Sequence, residues 1–251
     1  MAAKRTALVT GASYGVGAAT ALALARDGFD VAVTATKLDN LAATMKALGA
    51  AGARALPLVL DLREQTTIEQ ATANAMTTFG GLDVLVNNAG ANVRRLAVDV
   101  TAQDWDAVMA VNIRGTFFLT QQVGRHLIAT GRSGCIVNIA STHALAGTAE
   151  RSTYGISKAA LLGMTRMLAV EWAEYGIRVN AIAPGRLETP SPSRAEKGAD
   201  RRYMDTMLER IPLHRLASAE EVAATVGYLV SPAAASMTGQ VLVLDGGLTA
   251  A

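Results

Sequence analysis

The chain has 251 residues, 51% hydrophobic and 18% charged, with a formal net charge of +2. That suits one domain, residues 1–251, around a continuous core, and it leaves no basic run of the kind a nucleic-acid binder needs. Apolar runs are broken by charges, Gly or Asn well before the roughly 20 residues that span a bilayer, and M-A-A-K-R-T-A-L-V-T enters a strand-like segment with no signal-peptide core; we expect a soluble, cytoplasmic protein without membrane or nucleic-acid partners.

The first strand-like run, T-A-L-V-T near residue 6, leads into T-G-A-S-Y-G-V-G at 10–17 and an Ala-rich helical segment over 15–28. In that setting Gly11 takes a turn of positive φ, Gly15 lets backbone approach a pyrophosphate, and Gly17 permits close helix packing. The helix N-terminus then faces the anion. A dinucleotide fold places the residue that meets the adenosine ribose about 20 positions further on, where a carboxylate selects NAD through the 2′-hydroxyl. Here D-V-A-V-T near 30 leads to Thr36 and Lys37. A lysine can meet a 2′-phosphate as a point charge, which favours NADP over NAD.

The alternation continues with a helix over 38–52, R-A-L-P-L-V-L near 54, a helix over 64–79 and L-D-V-L-V-N near 82. Then come a helix over 102–130, G-C-I-V-N-I near 134, a helix over 155–175, I-R-V-N-A-I-A near 177 and Q-V-L-V-L-D near 240. Near-continuous apolar strands are those buried on both faces of a parallel sheet, so the fold class is α/β, a doubly wound parallel sheet of about seven strands with helices on both faces. Thr101–Asp104 and Ser218–Glu221 read as helix starts, the second an S-x-x-E capping box. Cys135 reads as a small buried hydrophobe, and His126, His143 and His214 are too scattered to hold a metal. The long stretch without a strand, 186–202, is rich in Pro, Ser and charge and follows a strand's C-terminal end, where such sheets bind ligands. With the short helix after it, we read a substrate lid over about 186–215.

S-T-Y-G-I-S-K at 152–158 sets Tyr154 and Lys158 four places apart, on one helical face. With T-G-A-S-Y-G-V-G, Asp61, N-N-A-G at 87–90, Asn112, Ser141, P-G-R-L-E-T at 184–189 and V-L-D-G-G near 243, the chain resembles the short-chain dehydrogenases/reductases over essentially its whole length. The resemblance implies a Rossmann-type sheet of order 3-2-1-4-5-6-7 and hydride transfer between NADP or NAD and a secondary alcohol or ketone. It implies Tyr154 as general acid/base, Lys158 as its electrostatic partner and a contact of the nicotinamide ribose, Ser141 as partner of the substrate oxygen, and Asn112 as the anchor of a relay water. An ammonium one turn away stabilises a phenolate, so the Tyr154 phenol is expected to titrate below its usual ~10.

On the same footing Ser13, Tyr14 and Val16 join Gly11, Gly15 and Gly17 in the phosphate loop. Asp61 and Leu62 meet the adenine, Asn88, Ala89 and Gly90 lie under the ribose, and Pro184, Gly185, Leu187 and Thr189 bracket the nicotinamide. Residues such as Asn88 also tie neighbouring strands together. Tyr14 departs from the Arg or Lys often found there in NADP-preferring relatives, which counts against NADP. Similar proteins are usually homotetramers, with the helices 102–130 and 152–175 at the interfaces.

A-N-V-R-R, directly after N-N-A-G, puts Arg94 and Arg95 on a loop over the ligand edge, where adjacent guanidiniums can grip a carboxylate; the alternative is that they are solvated or meet another subunit. Arg151, Arg186, Arg194, Arg201 and Arg202 add positive charge near the same mouth, which suits a small anionic substrate. N-N-A-G-x-x-x-R-R also resembles the branch that oxidises sugar acids, such as gluconate 5-dehydrogenases and ketodeoxygluconate dehydrogenases, so a sugar acid or polyol is the expected substrate. The alternative is a 3-oxoacyl-carrier-protein reductase; polar residues in the pocket favour the first, an open apolar channel the second. His143, two places after Ser141, points to the polar choice. A non-catalytic nucleotide-binding regulator on the same fold would be expected to lose one or more of Asn112, Ser141, Tyr154 and Lys158, and all four are present.

Overall fold

Seven short apolar runs become the parallel strands β1 (Thr6–Val9), β2 (Asp30–Ala35), β3 (Ala55–Val59), β4 (Val84–Asn87), β5 (Gly134–Ile139), β6 (Ile177–Pro184) and β9 (Val241–Leu244) of one sheet. Their order, β3-β2-β1-β4-β5-β6-β9, is the one the resemblance implied. Leu187–Glu188 (β7) and Ala217–Ser218 (β8) form a separate two-residue ladder beside the sheet's ligand edge. The computed structural model describes residues 4–188, 206 and 208–250. Thr189, Arg194, Arg201 and Arg202, and with them much of the expected lid, lie outside the described residues.

Alternate strand residues feed two cores, as the period of two requires. Ala7, Val9, Val31, Val33, Val84 and Val86 pack with Leu24 of α1 (Gly15–Arg26), Leu48 of α2 (Ala42–Ala50) and Val222 and Val226 near the chain's end. Leu8, Ala32, Leu85 and Ile136 face the other way, onto Ile68 of α3 (Gln65–Phe79), Leu119 and Val123 of the fifth helix and Leu168 of the sixth. Leu85 is fully buried between strands, so Leu85→Ala removes about 2–5 kcal/mol of stability. Pro57 sits in β3, paired with Val33 at the sheet's edge, where its missing N–H costs no ladder bond on the far side.

The helix expected over 102–130 is interrupted. α4 (Ala102–Met109) passes through a π-helical segment, Ala110–Gly115, into α5 (Thr116–Ala129). Gly115 lies against the loop after β3, where a Cβ would stand 1.9 Å from the Leu62 carbonyl oxygen. A wide turn that carries a functional candidate, here Asn112, is the usual setting of such segments. α6 runs from Ser152 to Glu171 and α7 from Ala219 to Val230, the latter behind the Ser218–Glu221 capping box.

A buried polar ladder locks these layers in register. Asn87 Nδ2 donates to Asn138 Oδ1 across β4 and β5 and to Thr120 Oγ1 of α5, both at 2.8 Å, and Asn138 Nδ2 donates to Thr165 Oγ1 of α6 at 2.9 Å. Such a network holds only when its members are placed together. It fixes α5 and α6 against the strands whose ends carry the site. Cys135, 2% exposed, is the buried hydrophobe its surroundings implied, and burial pushes its thiol pKa up.

Candidate active site

The chain order reverses between β1 and β4, and a cavity of about 530 Å³ opens there at the strands' C-terminal ends. Gly11, Ser13, Tyr14, Gly15 and Val16 form one wall, Asn88, Ala89 and Gly90 another, and Thr36, Asp61 and Leu62 the far end. Gly11 has φ +62° and Gly15 φ +57°, as the tight turn requires. Gly17 is the third residue of α1, where a Cβ would stand 2.3 Å from Gly11 O and 2.6 Å from Asn88 Nδ2. Asn88 is a tie as well as a lining residue, its Nδ2 donating to the Thr10 and Gly11 carbonyls at 2.9 and 3.0 Å.

Among the described residues no side chain caps the start of α1, and its first turn holds no carboxylate. Its N–H groups and positive dipole end therefore point into the cavity. An extended cavity with a glycine turn at an uncapped helix start fits a dinucleotide, whose pyrophosphate the N–H groups at Gly11–Gly17 would hold.

The far end differs from expectation. Lys37 is exposed and does not line the cavity, whereas Arg63 and Asn40 do. Arg63 donates from Nε to Asp61 Oδ1 at 2.9 Å and Oδ2 at 3.1 Å, and this hydrogen bonding holds the Asp61 carboxyl below its usual range. Arg63 escaped the sequence reading because no fixed spacing marks a cation that arrives from the next loop.

Toward β5 and β6 a smaller cavity of about 250 Å³ is lined by Ser141, Tyr154 and Lys158 together with Val16, Gly90, Pro184, Gly185 and Leu187. Lys158, 4% exposed, donates from Nζ to the Ile139 carbonyl at 2.7 Å and sits 5.7 Å from the Tyr154 ring centre. Burial draws its pKa from 10.5 to about 8. Tyr154 corrects an expectation: its phenol is raised, because burial outweighs the hydrogen bonding of Ser141 and the charge of Arg151. A lysine that is itself pushed toward neutrality by burial does not draw the phenol down in the protein alone.

Asn112 is buried in the π segment beneath this cavity. Its Oδ1 accepts from Ala91 N–H at 2.7 Å, and its Nδ2 donates to Ala91 O and Ser157 Oγ, both at 2.9 Å. These bonds tie the loop after Gly90 to α6. Ser141 Oγ lies 3.0 Å from His143 Nδ1 and accepts from His143 N–H at 3.2 Å. Burial, and then the nearby charge of Arg151, lower the His143 pKa.

A third cavity, about 370 Å³, shares Ser141 and Tyr154 and is lined by His143, Thr142, Thr148 and Asn92 and by four arginines, Arg94, Arg151, Arg186 and Arg210. Arg94 forms an ion pair with Glu150 at the mouth. Arg95 does not line this cavity; it pairs at 3.1 Å with Asp104, in the capping box of α4, so the two adjacent guanidiniums serve different partners. Arg210 and Asn92 were not singled out by sequence. Arg210 belongs to no motif, and Asn92, two places after Gly90, lines both this cavity and the smaller one.

Among the described residues no cluster of His, Cys, Asp and Glu is placed to hold a metal, and no helix is long and apolar enough to cross a membrane. The family model described as "Enoyl-(Acyl carrier protein) reductase" matches residues 11–249. The 3-oxoacyl-[acyl-carrier-protein] reductase of Thermotoga maritima is 38% identical over 97% of this chain and 97% of its own length. The 2-dehydro-3-deoxy-D-gluconate 5-dehydrogenase of Escherichia coli is 36% identical over 97% and 94%. The structure of an Agrobacterium tumefaciens protein assigned as a 2-deoxy-D-gluconate 3-dehydrogenase, with NADP bound, superposes with a TM-score of 0.89 at 38% identity, covering 98% of this chain and 97% of that one.

Proposed function

The chain belongs to the short-chain dehydrogenase/reductase family of NAD(P)-dependent oxidoreductases, and on that premise we propose that it interconverts a secondary alcohol and a ketone on a sugar acid or a related polyol. The observation that carries this reading is the wall of Arg94, Arg151, Arg186 and Arg210 around the cavity that also holds Ser141 and Tyr154. Guanidiniums match a carboxylate in geometry and charge, and Thr142, His143, Thr148 and Thr249 give hydroxyl groups polar partners.

The nicotinamide, when bound, supplies or takes the hydride. In oxidation Tyr154 takes the proton of the substrate hydroxyl, and in reduction it returns one to the new oxygen. Ser141 holds that oxygen beside the phenol. Lys158, charged at neutral pH and 5.7 Å from the Tyr154 ring centre, would offer a donor toward the ribose, though in the protein alone it does not lower the phenol. Asn112 keeps the loop at Gly90 and Ala91 fixed to α6, which carries Tyr154 and Lys158. The three first-named groups line one cavity, which supports these roles.

NADP is the preferred cofactor in this reading. Its support is Thr36 in place of a carboxylate, the cation of Arg63 in the same end of the cavity, and the NADP found in the Agrobacterium structure. The reading extends to a cytoplasmic homotetramer. A free, buried Cys135 fits a reducing compartment, and the exposed apolar side chains Trp105, Phe117, Ile156, Met167 and Val170 on α4, α5 and α6, the last 81% exposed, fit faces covered by other subunits.

Reduction of 3-oxoacyl thioesters is the second reading, favoured by the Thermotoga relative. A panel of sugar acids, polyols and β-ketoacyl thioesters with NAD and NADP, read at the reduced-nicotinamide absorbance, separates the two. We expect turnover of a sugar acid with NADP and its loss, by at least about 10³-fold, in Tyr154→Phe. Turnover of thioesters alone gives the second reading, and unchanged activity in Tyr154→Phe sinks the proton-transfer assignment.

A further inference from the structure

We infer that His143 is a positioning residue for Ser141, fixing the direction in which the serine hydroxyl offers its proton; the inference rests on the reading of Ser141 as the partner of the substrate oxygen. A hydroxyl has one proton to give and two lone pairs to fill. One lone pair of Ser141 Oγ already accepts from the His143 backbone N–H at 3.2 Å. What remains is set by His143 Nδ1, 3.0 Å away.

If Nδ1 carries a proton it fills the second lone pair, and the serine O–H is left to donate away from His143, toward the cavity and the Tyr154 phenol that shares it. If Nδ1 is bare it takes the serine proton, and Oγ can then only accept from the cavity. In both directions of the reaction negative charge builds on the substrate oxygen in the transition state, so a donor is what that oxygen needs. The Nδ1–H form is therefore the productive one.

The surroundings hold this pair in place. Ser141 caps a short 3₁₀ turn, Thr142–Ala144, with His143 at its centre. The first turn of α6 is pressed onto it: a Cβ on Gly155 would stand 2.9 Å from the His143 carbonyl oxygen. The His143 and Tyr154 rings meet edge to face with centroids 5.7 Å apart. The imidazole thus stands beside both groups expected to touch the substrate oxygen, and its lowered pKa keeps it neutral at pH 7, where the choice of tautomer matters.

The test compares variants of similar size and opposite hydrogen-bonding sense. His143→Asn retains an N–H donor, His143→Leu offers nothing, and His143→Asp offers only an acceptor that captures the serine proton. We expect kcat to fall by less than about 5-fold, about 10-fold and about 100-fold respectively, with the cofactor KM unchanged in all three. Equal kcat in the Asn and Asp variants, as packing alone predicts, overturns the inference. So does a Leu variant as active as Asn. In a Ser141→Ala background, where the hydroxyl is gone, the Asn and Asp variants should have equal kcat; a loss with Asp as large as in the parent also overturns it. Tyr154→Phe run alongside keeps the two claims apart: if that variant stays active the underlying reading fails, whereas if it is dead and the His143 series is flat only the inference fails.

Discussion

At the cofactor end of the cleft, shape is written in the backbone. Gly11 turns with φ +62°, Gly17 leaves no room for a Cβ between Gly11 O and Asn88 Nδ2, and the start of α1 presents bare N–H groups. At the substrate end, shape is written in long side chains that reach in from four separate places, Arg94, Arg151, Arg186 and Arg210, with Arg94 held by an ion pair to Glu150. A backbone cradle tolerates few residue types at few positions, while a charge cluster can be assembled from almost any loop. The first should be brittle to substitution and the second graded.

The largest effect should come from the cradle. In Gly17→Ala the new methyl meets a carbonyl oxygen at 2.3 Å, closer than any real contact, so α1 or the Gly11 turn has to move. Affinity for the dinucleotide should fall by at least about 100-fold and stability by about 1–3 kcal/mol. Cofactor titration and thermal denaturation measure both. Binding like that of the parent would show that the cradle is not brittle and would dissolve the contrast.

That brittleness is also why this half was legible from sequence. A Gly at a position of positive φ and a Gly packed against the loop at Gly11 and Asn88 leave residue types at fixed spacing, and T-G-A-S-Y-G-V-G could be read directly. Apolar runs of the right length gave the seven-stranded sheet and its two faces for the same reason. The π turn at Asn112 was not legible, since an extra residue in a helical turn leaves the apolar pattern almost intact. Nor was the division of labour between Arg94 and Arg95: neighbours in sequence point to different partners, and Glu150 and Asp104 lie far off in the chain or in another element. The pairing of Arg63 with Asp61 and the place of Arg210 depend in the same way on tertiary placement.

Lys158 lies where the two ends meet, and it opposes activity to stability. Its ammonium is buried with a carbonyl for company, and among the described residues no carboxylate pairs with it. A folded pKa of about 8 against 10.5 means that folding penalises the charged form, by about 3 kcal/mol at neutral pH. The sign follows: the unfolded chain binds more protons between the two values, so the penalty is complete below pH 8 and is relieved as pH rises to 10.5. Lys158→Met should therefore abolish turnover yet raise stability at pH 7 by about 2 kcal/mol, after about 1 kcal/mol is lost with the bond to Ile139. The gain should shrink toward pH 10. A variant that melts below the parent at pH 7 would contradict the assignment of a strained, charged lysine.

Arg94 and Arg95 give the smallest and most discriminating pair. Arg94 lines the cavity that holds Ser141 and Tyr154, so if that cavity takes the acid, Arg94→Ala should raise its KM about 5- to 20-fold with little change in kcat, and less for a neutral polyol of the same length. Arg95 stands outside that cavity and meets Asp104, whose own place is set by hydrogen bonds to the Thr101 backbone N–H and hydroxyl. Asp104 stays low in pKa chiefly because of those capping bonds, with Arg95 the least of its causes. Removing an exposed guanidinium from an anchored carboxylate costs little. Arg95→Ala should leave KM for every substrate unaltered and shift the melting temperature by no more than about 1–2 °C. Equal rises in KM for the two variants would mean that the adjacent arginines act as one clamp after all, and the substrate end would then be as tightly specified as the cradle.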